Sequence, residues 1–150
     1  MQKSTTKNIE ETQGLGQNFA REILASGIKK SAVVLALQGD LGAGKTTFLQ
    51  GFAKGLGVRE KINSPSFVIL KRFGLRNKKF KNFYHIDCYR LKDEKDLEHF
   101  GFKEIIADPE NIVAIEWSER IEKILPKGKT VIEFNHLEEG KRVIFRMLTK

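Results

Sequence analysis

Gly39-Asp40-Leu41-Gly42-Ala43-Gly44-Lys45-Thr46 fits the phosphate-binding pattern G-x-x-x-x-G-K-[ST]. Its flanks fit the same reading. Upstream, Ala32-Val33-Val34-Leu35-Ala36-Leu37 is short, apolar and rich in β-branched residues, as in a buried parallel strand. Downstream, Phe48, Leu49, Phe52, Ala53 and Leu56 recur at helical spacing, which predicts a helix with one buried face that stops at Gly57. Strand, glycine-rich turn and helix make a P-loop. Glycines let the backbone approach an anion without a Cβ in the way. The N–H groups of Gly42, Ala43, Gly44, Lys45 and Thr46 then converge on a β-phosphate, helped by the positive end of the helix dipole. Lys45, expected to be exposed, reaches the β- and γ-phosphates, the Thr46 hydroxyl is a magnesium ligand, and the Thr47 hydroxyl faces the α-phosphate.

The 150 residues fit one domain, with 40% hydrophobic and 31% charged residues. No apolar run is long enough for a membrane span. The start of the chain, Met1 to Thr6, has no apolar core of a secretory signal. A lone Cys88 cannot make an internal disulfide, which fits a reducing cytoplasm. The net charge of +8 suits polyanionic partners such as RNA, or equally a solvated lysine-rich surface, because the basic residues are scattered.

Asn8 to Ser26 reads as a helix with Ile9, Leu15, Phe19, Ile23 and Leu24 as its apolar stripe, weakened by Gly14 and Gly16 and capped by Gly27. Asn63-Ser64-Pro65-Ser66-Phe67 is a turn cluster before a strand, Phe67 to Leu70. It is either a plain loop or a hydroxyl-bearing switch, with Ser64 and Ser66 facing the phosphates. Lys71 to Lys81 carries six basic residues and no acidic one, with a turn suggested by Gly74 and Asn77. A hairpin guarded from edge pairing by its lysines is preferred to an RNA contact. Asn77-Lys78-Lys79-Phe80 fails as a guanine-reading N-K-x-D motif, because Phe80 stands where the carboxylate is needed. Asp93 to Phe102 reads as an acidic helix with Leu97 and Phe100 inward. Ser118 caps a helix from Glu119 to Leu125 that Pro126 ends, and Lys129–Asn135 and Arg142–Met147 form a C-terminal antiparallel hairpin around Glu139-Gly140.

A P-loop enzyme also needs a carboxylate at the end of a neighbouring strand. Asp87, after Phe83-Tyr84-His85-Ile86, and Glu116, after Ile112-Val113-Ala114-Ile115, both qualify. The strand before Glu116 is the more uniformly apolar and reads as central, next to the P-loop strand. Asp87 reads as further out and wetter. Glu116 is therefore expected to hold magnesium and Asp87 to orient water. His85 lacks ligand spacing with Cys88, His99 or His136 and reads as a hydrogen-bonded structural histidine. Trp117 is either core or a stacking surface near the nucleotide.

Taken in order, the P-loop with Thr47, Ser64-Pro65-Ser66-Phe67, His85-Ile86-Asp87-Cys88-Tyr89-Arg90-Leu91 and Ile115-Glu116-Trp117-Ser118-Glu119-Arg120 resemble the bacterial tRNA threonylcarbamoyladenosine biosynthesis ATPases, the TsaE family. The resemblance spans roughly Ala32 to Met147. It implies an α/β P-loop NTPase with a mixed, mostly parallel sheet flanked by helices. It further implies ATP and Mg2+, hydrolysis coupled to tRNA modification next to the anticodon, and a cytoplasmic location. The implied partners are the two sugar-kinase-like subunits of the threonylcarbamoyl transfer complex, with tRNA contacted directly or through them. By the same resemblance Lys45 holds phosphates, Thr46 and Glu116 hold magnesium, and Asp87 orients water. Ser66 and Asn63 stand where the family commonly has Thr; the hydroxyl survives only at Ser66. A small kinase and a non-catalytic nucleotide-dependent binding module are the alternative readings.

Overall fold

The computed structural model describes residues 1–40, 42–62 and 69–149. The expected switch residues Ser64 and Ser66, and Phe67 and Val68 of the expected Phe67–Leu70 strand, lie outside the described residues. Seven strands form one sheet in the order β1-β7-β6-β2-β5-β4-β3. The four inner strands are β6 (Thr130–His136), β2 (Val33–Gln38), β5 (Asn111–Glu116) and β4 (Asn82–Asp87). They are mutually parallel. Antiparallel strands finish both sides: β7 (Arg142–Leu148) and β1 (Gln2–Thr6) beyond β6, and β3 (Leu70–Gly74) beyond β4. The architecture is the mixed P-loop sheet. The strand ahead of the glycine turn and the strand ahead of Glu116 are neighbours in register from Val33–Ile112 to Leu37–Glu116.

Side chains alternate across this sheet as strand geometry requires. Leu35, Leu37, Ile112, Ala114, Ile132 and Phe134 face α1 (Ile9–Ala25) and α2 (Lys45–Gly55). Val34, Val113, Ile115 and Ile86 face α3 (Lys95–Glu98), α4 (Phe102–Ala107) and a 3₁₀ segment, Ser118–Ile124. The first face is closed by packed aromatic rings. Phe48 meets Phe19 edge-on at 5.3 Å and Phe134 at 5.4 Å, and Phe52 reaches Phe83 at 5.6 Å.

Helix α1 starts where Asn8 Oδ1 accepts the Glu11 N–H at 2.8 Å. It ends at Ser26, not at Gly27: the Ser26 backbone N–H and hydroxyl both donate to the Ile23 carbonyl. Its buried face is Thr12, Gly16, Phe19, Ala20 and Ile23, whereas Ile9 is exposed. Gly16, read from sequence as a weak point, is instead a contact. A Cβ there would lie 2.2 Å from the Phe48 carbonyl oxygen, and one at Gly51 would lie 2.0 Å from that of Gln13. The two helices touch backbone to backbone, so Gly16 permits the packing, whereas Gly14 faces open space.

Other expectations need correction. The acidic stretch holds two short helices, because Gly101 turns left-handed at φ 74° and restarts the chain as α4. Leu97 is buried as expected, but Phe100 is 48% exposed and Phe102 takes the inward position. The basic segment does form a β3–β4 hairpin. Asn77 Oδ1 closes its turn by accepting the Lys79 and Phe80 N–H groups, and Phe80 is core. Lys79 Nζ donates to the Leu24 and Ser26 carbonyls at the end of α1, and Lys81 Nζ to the Asn77 carbonyl. Ser118 does not act as an N-cap: its hydroxyl donates to the Leu37 carbonyl, and Trp117 precedes the segment at φ 57°. The expected C-terminal hairpin is present as β6–β7. Among the described residues no helix is long and apolar enough to cross a membrane.

Candidate functional site

Three strand ends converge at one edge of the sheet. β2 runs into the glycine turn, β5 ends at Glu116 and β4 ends at Asp87. Gly39, Gly42 and Gly44 all take positive φ, at 140°, 77° and 101°. Gly44 meets a second demand, since a Cβ there would lie 2.6 Å from Cδ of Arg142, which reaches across from the start of β7. No side chain caps α2. Its first turn therefore presents backbone N–H groups at Lys45, Thr46 and Thr47, a geometry suited to anionic oxygens.

Lys45 is not exposed as the sequence suggested. It is only 5% accessible. Its ammonium donates to the Gly39 carbonyl and sits 3.8 Å over the Trp117 ring. Burial pushes its pKa down, and the carboxylates of Glu116, Glu119, Asp87 and Asp40 act in the opposite direction. Trp117 is one of two non-glycine described residues with positive φ. That is unusual for a bulky side chain, and it accompanies the placement of the indole beneath Lys45. The Tyr89 ring lies 5.0 Å from that of Trp117, and the Arg120 guanidinium lies 5.5 Å from Tyr89 and 5.8 Å from Trp117.

The Thr46 hydroxyl donates to Glu116 Oε1 at 3.1 Å. His85 Nε2 lies 2.7 Å from Glu116 Oε2. Because a carboxylate faces it, that nitrogen carries the proton. Glu116 and Asp87 are register partners on adjacent strands, so both project from the sheet face that α2 covers. Asp87 Oδ1 accepts the Tyr89 N–H at 2.9 Å. Strand β4 is further from the P-loop than β5, as expected, but it is not wetter: His85 and Asp87 are 3% and 7% exposed. Thr46 and Glu116 supply hydroxyl and carboxylate oxygens, a hard donor pair that suits Mg2+, which keeps its remaining positions for water and phosphate. The Cys88 thiol lies in the core on the opposite face of the sheet, where burial pushes it up to about 12, so it stays protonated and is not a ligand here. Among the described residues no group of three or more His, Cys, Asp or Glu is placed to hold a metal ion.

The structure thus brings Lys45, Thr46, Asp87 and Glu116 together. Gly42, Ala43 and Gly44 lie in the turn beside them, and Thr47 follows in the first turn of α2. Sequence reasoning missed Arg142 against the P-loop; it expected His85 to be hydrogen-bonded, and the structure supplies Glu116 as the partner. Nothing in the linear pattern marks Arg142. The same-face spacing of His85 and Asp87 was a usable signal for the histidine, because Asp87 and Glu116 are in register.

The family model described as threonylcarbamoyl adenosine biosynthesis protein TsaE matches residues 6–144. Over 142 residues the chain is 37% identical to the tRNA threonylcarbamoyladenosine biosynthesis protein TsaE of Bacillus subtilis, covering 95% of this chain and 82% of that one. The Haemophilus influenzae protein of the same name is 33% identical over 128 residues, 85% of this chain and 78% of its own. A crystal structure of Bacillus subtilis YdiB superposes with a TM-score of 0.70 at 31% identity, covering 99% of this chain and 86% of that one.

Proposed function

Because this chain belongs to the TsaE family, we propose that it is a Mg2+-dependent P-loop ATPase whose ATP hydrolysis serves tRNA threonylcarbamoyladenosine biosynthesis. The family supports the pathway. The contact of the Thr46 hydroxyl with Glu116 at the uncapped start of α2 carries the ATPase reading. It joins the one hydroxyl and the one carboxylate that a P-loop site uses for its metal.

The division of labour follows from position. The turn amides and Lys45 bind the β- and γ-phosphates. Thr46 and Glu116 hold Mg2+, which when bound neutralises charge on the phosphate oxygens. Asp87, in register with Glu116 but one strand further out, orients the attacking water. Trp117, immediately before the 3₁₀ segment, covers Lys45 from that side. The chain works beside the two sugar-kinase-like subunits that transfer the threonylcarbamoyl group, and it meets tRNA through them or directly.

The test is inorganic phosphate release from ATP by the purified chain, alone, with the partner complex, and with the complex plus tRNA. The reading predicts Mg2+-dependent release that the complex stimulates. Phosphate appearing on an acceptor molecule would indicate a kinase. ATP binding with no hydrolysis under any of the three conditions would indicate a nucleotide-dependent binding module.

A further inference from the structure

His85 is a buried polar residue in the middle part of β4, two residues before Asp87, with a side chain 3% exposed. Its register partner on β5 is Ala114, a single methyl. The ring therefore passes over that methyl toward Glu116, two residues further along β5. There the Nε2–H donates to Oε2 at 2.7 Å, while Oε1 of the same carboxylate faces the Thr46 hydroxyl at 3.1 Å. Each glutamate oxygen thus has its own partner, one from a neighbouring strand and one from α2.

From this geometry we propose that His85 is a positioning residue for the metal–phosphate site, holding the Glu116 carboxylate in the plane that turns Oε1 toward Thr46. A glutamate side chain has three rotatable bonds, and Thr46 fixes only one end of its carboxylate. The histidine anchors the other end from the rigid sheet. An apolar side chain at position 85 would leave Oε2 buried without this donor, and the carboxylate would turn to find another. Outer partners that orient a ligating group in this way tune metal affinity as strongly as some direct ligands do. The proposal rests on the assignment of Glu116 as the magnesium-linked carboxylate.

The test is the Mg2+ concentration that half-saturates binding in the presence of ADP. It is measured by calorimetry and by the emission of Trp117, the single tryptophan, which lies against Lys45. His85→Ala is expected to raise that concentration about tenfold or more, with ADP affinity in the absence of Mg2+ unchanged. His85→Gln, which retains an N–H donor of similar reach, should stay within about threefold of the parent. In a Glu116→Gln background the alanine change should add less than about twofold, because the two residues act as a unit. If His85→Ala gives no cooperative melting transition, His85→Asn replaces it with the same expected shift, since its amide is too short to reach Oε2. An unshifted midpoint in a folded variant, equal shifts for alanine and glutamine, or full additivity with Glu116→Gln would each overturn the proposal. A parent protein whose ADP binding ignores Mg2+ would overturn this proposal and leave the ATPase reading to the phosphate-release measurement. A parent that responds to Mg2+ while His85→Ala matches it brings down this proposal alone.

Discussion

The Lys45 ammonium lies against two groups that belong to the site, the Gly39 carbonyl and the Trp117 ring. Neither is an anion, and burial already lowers its pKa. The nearby carboxylates act on the ammonium without a hydrogen bond to it, so a phosphate oxygen would exchange its neutral acceptor for an ionic one. Lys45→Ala should weaken ATP binding or turnover by about 1.5–3 kcal/mol, the range of a hydrogen bond to a charged group. The fold should persist, because the lost cation–π contact is offset by relief of a buried charge. Nucleotide titration and a thermal melt on the same sample check both parts. Unchanged affinity and turnover in a folded variant would remove the phosphate role of Lys45. Burial of this lysine was not legible in the sequence, because the indole that covers it depends on the left-handed turn at Trp117.

Two elements carry strain or contacts that their composition hides. Helices α1 and α2 approach through Gly16 and Gly51, with no room for a methyl at either. Gly51→Ala would gain helix propensity in isolation. Here the Cβ meets the Gln13 carbonyl at 2.0 Å. The substitution should therefore destabilise the protein by roughly 1–3 kcal/mol, as overpacking does; a denaturant midpoint at or above that of the parent would contradict the close packing. The basic β3–β4 hairpin is the second case. Lys79 closes the carboxyl end of α1 through the Leu24 and Ser26 carbonyls. Lys79→Ala should cost about 1.5–3 kcal/mol in a thermal or denaturant melt, since a charged donor is lost, and leave the salt dependence of any tRNA binding unchanged. A salt slope flattened by about one unit with stability intact would make Lys79 a phosphate contact instead.

At the scale of the whole molecule, local pattern carried the centre of the fold and both antiparallel hairpins, and failed at the edge strand β1. The strand, glycine turn and helix from Val33 to Gly55 were legible because each signal is local: β-branched run, glycine spacing, helical period. Strand β1 was not, because Gln2-Lys3-Ser4-Thr5-Thr6 has no apolar alternation and is held at the sheet edge by pairing with β7. Arg142 beside Gly44 follows only from the placement of β7, which no local pattern marks, and His85 beside Glu116 needs the register of β4 with β5 in addition to its spacing from Asp87. The neighbouring positions of Glu116 and Asp87 were legible as strand ends, and the register of β4 with β5 makes them a pair facing α2. The central claim assigns different work to that pair, and ATPase rate titrated against Mg2+ for two variants tests it most directly. Glu116→Gln should raise the Mg2+ concentration needed for half-maximal rate, while Asp87→Asn should lower the maximal rate with the Mg2+ midpoint unchanged. A shifted midpoint in Asp87→Asn with an unshifted one in Glu116→Gln would reverse the roles, and full activity in both would contradict the account.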